Sequence, residues 1–212
     1  MVDSADITVT RDAYDEVAEL YTDLFRRQLQ DSPFDAVMLD AFAHTVREHG
    51  AGPVADIGCG PGRVTTHLAA AGLEVSGIDL SPEMIRIARE LYPDLSFEVG
   101  PMERLRFEDE SLAGIVAWYS IIHTPPARVP DVLTEFARVL RPGGHALFGF
   151  QAADEATGVH AYHHKVAPAY RWAPVTFAEV LAAHGFRATA TLAREARPDE
   201  RTPQAMVLAV KV

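Results

Sequence analysis

The chain has 212 residues, enough for one sizeable core and too few for two ordinary domains with a linker. Its 48% hydrophobic and 23% charged content is that of a globular protein, and 30 acidic against 19 basic residues (net −11) argue against a nucleic-acid backbone as partner. The lone Cys59 excludes an intramolecular disulfide and a multi-cysteine zinc site. No apolar run reaches the roughly 18 residues of a membrane span, and no cationic-then-apolar leader opens the sequence. One domain over 1–212, in the cytoplasm and away from membranes, is therefore expected. Arg outnumbers Lys 17 to two, a bias that fits a GC-rich bacterial genome.

In chain order, residues 10–29 space Ala13, Val17, Leu20, Tyr21, Leu24 and Phe25 as an amphipathic helix. Ser32-Pro33-Phe34-Asp35 reads as an N-cap opening a second helix that Gly50 stops. Alternation follows. Val54–Ile57 is a strand, with a helix after it to about Ala71, and Leu73–Ile78 is the second strand. Ser81-Pro82-Glu83 caps the next helix, and Leu95–Val99 and Ile115–Trp118 are strands three and four. Val129–Leu140 is helical, Arg141–Gly144 a turn, and His145–Phe150 strand five. Thr176–Glu179 has the pattern of a capping box, and Phe186–Leu192 and Ala205–Val210 close the chain as an antiparallel pair. Such alternation implies an α/β fold with a mainly parallel sheet covered on both faces.

Asp56-Ile57-Gly58-Cys59-Gly60-Pro61-Gly62 is the most informative segment. Glycines at every second position clear side chains from a turn whose following helix presents free N–H donors. A plain tight turn would look similar. Asp79 at the end of strand two sharpens the reading, because a carboxylate there can accept both hydroxyls of a ribose. Asp56 would repel a pyrophosphate at the turn and would suit an ammonium. Arg63 breaks the dinucleotide fingerprint, and no Gly-Lys-Ser/Thr follows for a phosphate-binding loop.

The segments Val54–Gly62, Val75–Ser81 and Arg138–Gly144 resemble class I S-adenosylmethionine-dependent methyltransferases of the small-molecule type. The resemblance runs in motif order over roughly residues 14–212. It implies a Rossmann-like seven-stranded sheet in the order 3-2-1-4-5-7-6, strand seven antiparallel. It also implies a helical cover over residues 10–50, and S-adenosylmethionine as cofactor with S-adenosylhomocysteine as its product. By that resemblance Asp56, Gly58 and Gly60 hold the methionine moiety, Asp79 the ribose, and Leu80 packs on the adenine. Tyr14, Tyr21, Cys59, Gly62, Met84 and Tyr119 line the cofactor. One departure stands out. Gly100-Pro101-Met102-Glu103 lacks the acid commonly placed on the adenine amino group, leaving that contact to Met102 or Glu103.

The chain after strand four borders the transferred group, so His123 is a candidate base, packing at the strand end being its bland alternative. Residues 151–175 are expected to cover the acceptor, with His160, His163, His164, Tyr170 and Trp172 joining Tyr21 and Tyr119 along its wall. No carboxylate completes a metal set around these histidines, and no metal is expected. The expected activity is metal-free methyl transfer to a small organic acceptor, at oxygen before nitrogen or carbon, by a monomer or homodimer. The alternatives are a protein of this fold that keeps the cofactor for another reaction, or one that binds it in a regulatory role.

Overall fold

Strand β1 (Val54–Ile57) and strand β4 (Leu112–Trp118) are buried at every residue, as suits near-continuous apolar runs in the middle of a parallel sheet. Around them a computed structural model, which describes residues 4–25, 29, 32–198 and 200–212, sets β2 (Val75–Asp79), β3 (Ser96–Val99), β5 (Leu140–Gln151), β8 (Phe186–Arg194) and β9 (Gln204–Lys211). Their order is β3-β2-β1-β4-β5-β9-β8, with β9 antiparallel to both neighbours and the other pairs parallel. Counted by sheet strands alone this is the expected 3-2-1-4-5-7-6.

The pleat sends alternate residues of β4 to opposite cores. Val116 and Trp118 meet helix α2 (Pro33–Glu48), through Leu39 and Phe42, and helix α3 (Arg63–Ala70), through Val64 and Leu68. Ile115 and Ala117 meet helix α5 (Val129–Val139), through Leu133 and Phe136, and helix α6 (Pro174–Ala183), through Phe177 and Leu181. Helix α1 (Ala5–Phe25) crosses the open end and packs Ala18 on Met84 and Ile87 of helix α4 (Pro82–Leu91). No helix among the described residues is long and apolar enough to cross a membrane.

Several local expectations change. Helix α1 starts five residues earlier than its apolar spacing implies, and the expected stretch 26–28 lies outside the described residues. Ser32 stands at the N-cap of α2, yet its hydroxyl accepts from Arg197 Nη1 at 2.6 Å and makes no cap bond. Thr176 opens no capping box. Helix α6 begins at Pro174, and the Thr176 hydroxyl accepts from Gly158 N at 2.7 Å. The turn 141–144 is a bulge inside β5, where the register jumps from Leu112↔Leu140 to Gly114↔His145. The insertion at 151–175 contains a hairpin of β6 (Val159–Tyr162) and β7 (Ala169–Trp172), too short and too interrupted to announce itself in the sequence.

Candidate active site

The parallel strands β1, β2 and β4 end at one edge, so Gly58, Leu80 and Tyr119 leave the sheet side by side. There the chain turns hard. Gly58 N and Cys59 N both donate to Ile78 O, at 2.7 and 3.0 Å, folding the glycine turn across β2. The three glycines all have positive φ but do different work. A Cβ on Gly58 would lie 2.1 Å from Ser120 Cβ, and one on Gly62 would lie 2.8 Å from the Phe97 ring. Only Gly60 faces open space, with nothing within 4 Å. The expectation that every glycine clears room for a ligand is thus corrected: two of them clear room for protein.

Asp79 sits at the mouth of this turn. Gly60 N donates to its Oδ2 and Ser81 N to its Oδ1, both at 2.8 Å. The carboxylate lines a cleft with Gly58, Gly60, Leu80 and Tyr119. Burial raises its pKa, and the Ser81 and Gly60 N–H groups oppose that. Asp56 lies one step behind, fully buried in an adjoining recess that also shares Gly58, Gly60 and Tyr21 with the cleft. Its Oδ2 accepts from Thr65 Oγ1 at 2.7 Å, whereas Oδ1 is buried and unpartnered. Burial pushes this carboxyl up to about 7. Cys59 is packed under the turn against Gly77, its thiol raised far above the usual range by burial, as a filler and not a nucleophile.

The rest of the cleft gathers Tyr14, Tyr21, Leu80, Met84, Met102, Glu103, Tyr119 and His123, all expected there from the sequence. Glu103 is tied to Arg128 at 2.5 Å, and Arg128 also holds Asp6, fastening the start of α1 over the cleft. Met102 Sδ accepts from Thr124 Oγ1 at 3.5 Å. Tyr119 is a non-glycine residue at φ +55°, held by its N–H on Gly149 O at 2.9 Å. That conformation is costly for an aromatic residue and marks a place where the structure over-determines the backbone.

His123 has a defined tautomer. Its Nδ1 lies 2.8 Å from Pro168 O, a pure acceptor, so the proton is on Nδ1. Nε2 is then left to accept from the Tyr14 hydroxyl, also at 2.8 Å. Burial lowers its pKa to about 4, so the imidazole is neutral at ordinary pH. The hydroxyl of Tyr14 therefore stands between His123 and the cleft.

A second cleft opens beyond Tyr14, Tyr21 and Tyr119, which wall both. Of the residues expected to contact the acceptor, His164 lies in it and packs edge-on against His123, with ring centroids 5.1 Å apart. Tyr21 and Tyr119 line it too, whereas Trp172, Tyr170, His160 and His163 lie elsewhere. Trp172 is 2% exposed and meets Phe177 in the core, and Tyr170 packs on that same core. His160 faces Glu155, 3.4 Å away, on the outer side of the hairpin, and His163 is exposed. The register of β6 with β7 decides this, since it turns Trp172 inward. Among the described residues no group of three or more His, Cys, Asp or Glu is placed to hold a metal. Sequence reading overlooked Thr65, whose hydroxyl orients Asp56, and Ser120, which fills the space left by Gly58 and donates to Ile57 O at 2.6 Å. A lone Thr or Ser carries no pattern that would single it out. Lys165 and Arg201 at the second cleft were likewise passed over.

Residues 54–144 match a family model described as a methyltransferase domain. The resemblance is to class I S-adenosylmethionine-dependent methyltransferases. A demethylmenaquinone methyltransferase of Chlorobaculum parvum is 33% identical over 141 residues, 64% of this chain and 57% of that protein. A malonyl-[acyl-carrier protein] O-methyltransferase of Erwinia billingiae is 38% identical over 101 residues, 48% of this chain and 39% of that protein. The chain thus spans little more than half, or less, of these relatives' length. The fold matches 1,6-didemethyltoxoflavin-N1-methyltransferase of Burkholderia thailandensis, solved with its acceptor and S-adenosylhomocysteine. The TM-score is 0.75 at 20% identity, covering 100% of this chain and 92% of that one, a likeness of fold. The methyltransferase match begins and ends on the same segments, Val54–Gly62 and Arg138–Gly144, that carry the motifs.

Proposed function

We propose that this protein transfers a methyl group from S-adenosylmethionine to a small organic acceptor, at oxygen, without a metal. One observation carries the reading: Asp79, held by backbone N–H groups at the end of β2, lines the cleft beside the glycine turn, where a carboxylate can accept from a vicinal diol. The unpartnered Asp56 Oδ1 suits an ammonium, and the open side of Gly60 lets a ligand approach the turn. These residues fit the cofactor. Leu80 and Met102 offer apolar walls for its base, and with Glu103 engaged by Arg128 the adenine edge is left to the backbone near Met102.

When bound, the cofactor supplies an electrophilic methyl group on a sulfonium. This chain's part is to orient, exclude water and take up a proton. An acceptor hydroxyl becomes strongly acidic as its oxygen is alkylated, so a weak base suffices. Its proton passes to the Tyr14 oxygen while the Tyr14 proton moves to His123 Nε2, leaving Tyr14 neutral and His123 charged. Pro168 O keeps His123 in the tautomer this needs. The residues where β4 ends, Trp118-Tyr119-Ser120, offer no carboxylate for a hard cation, which supports the metal-free form.

Calorimetry with S-adenosylhomocysteine tests the cofactor part. Binding in the micromolar range is expected, and none at high micromolar concentration defeats it. Transfer of labelled methyl from S-adenosylmethionine to hydroxylated acceptors tests the reaction. Binding without transfer to any acceptor would assign the cleft to a non-methylating or regulatory role.

A further inference from the structure

The second cleft has two chemically distinct walls. On one side α1 contributes Val17, Leu20, Leu24 and Phe25, with Leu20 62% and Leu24 68% exposed. On the other lie Lys165 and Arg201. Both are exposed, and among the described residues neither has a carboxylate partner: Arg201 contacts only the His163 carbonyl at 3.5 Å and the Tyr162 ring at 5.6 Å. The one acid lining this cleft, Glu200, is already engaged by Arg194 at 2.5 Å and Arg197 at 3.1 Å. The two cations line the same cleft as His164. Both act on His164, whose pKa is lowered by burial first and by Arg201 and Lys165 next.

One of the chain's only two lysines and an arginine thus share one cleft rim. Two like charges facing an apolar wall repel each other and await an anion. His164 links that rim to His123 and hence to the reacting end.

We infer that the acceptor is an amphipathic acid: an aromatic or apolar skeleton laid against α1, with its anionic group between Lys165 and Arg201. The inference rests on the proposed methyl transfer for the fate of the molecule, but not for its binding.

The test uses two dyes of one skeleton that differ in charge, 1-anilinonaphthalene-8-sulfonate and neutral N-phenyl-1-naphthylamine, with and without S-adenosylhomocysteine. The natural chain should bind the sulfonate about tenfold more tightly than the neutral dye, and salt should erase that margin. Lys165→Glu with Arg201→Glu should abolish it and leave the neutral dye within about twofold. Equal affinity for the two dyes in the natural chain, or a margin that survives the double substitution, overturns the inference. If the double variant does not fold, the salt series on the natural chain still decides, because a margin indifferent to salt overturns the inference as well. Calorimetry of S-adenosylhomocysteine on the same proteins separates the two readings. Loss of cofactor binding with the dye margin intact would remove the methyl-transfer reading and keep the anion site.

Discussion

The two clefts are built from different materials. The cofactor cleft is made of backbone: a glycine turn, strand ends in register, and N–H groups holding Asp79. The second cleft is made of side chains from α1, from the segment 162–166 and from 200–204. A backbone-built site tolerates almost no change at its glycines. A side-chain-built one can be retuned residue by residue while the fold stays put.

Substitutions sharpen that contrast, and the largest effect is expected at Gly58. Gly58→Ala puts a methyl 2.1 Å from Ser120 Cβ at φ +75° and should cost about 3 kcal/mol, combining left-handed strain with overpacking. Chemical denaturation of the apoprotein reads it. Gly60→Ala, with open space around it, should cost only about 1 kcal/mol while still weakening S-adenosylhomocysteine. Equal losses of stability at the two glycines would break the distinction between them. Asp79→Ala should weaken S-adenosylhomocysteine roughly a hundredfold by calorimetry, the loss of two hydrogen bonds to a charged acceptor. Unchanged affinity would remove Asp79 from the cofactor.

How much could be read without coordinates follows the same divide. The run of strands and helices, the capping of α4 by Ser81 and the strand-end positions of Asp56 and Asp79 were legible, because glycine spacing, helix caps and apolar runs are local signals, whereas the strand order and the place of Met84 came from the family resemblance. The acceptor wall was not. Trp172 and Tyr170 read as cleft residues from their composition, but the pairing register of β6 with β7, a tertiary fact, sends Trp172 into the core. His123 was legible as a position, yet its tautomer depends on Pro168 and Tyr14, which lie 45 and 109 residues away in sequence.

Two smaller effects complete the series. Tyr14→Phe should lower kcat about tenfold with little change in KM, since it strands His123 Nε2 and interrupts the proton path. Equal effects on both parameters would instead mark Tyr14 as a binding wall. Acid should loosen the cofactor, because an ionised Asp56 pairs with an ammonium and a protonated one does not. With its carboxyl raised to about 7, affinity falls as pH drops through that value. The apoprotein moves the opposite way at this residue. A folded-state pKa above the unfolded 3.8 means Asp56 adds stability as pH falls from about 7 toward 4. The gain in Tm given by S-adenosylhomocysteine should therefore shrink between pH 8 and pH 6, and Asp56→Asn should flatten that dependence.

Of the chain's two tryptophans, both buried, Trp172 packs in the core, whereas Trp118 closes β4 on the lining of the cofactor cleft. The molecule thus carries its own fluorophore at the place of interest and a second, shielded one as an internal standard. Changes in emission on adding a ligand belong to Trp118, so occupancy can be followed with no label attached.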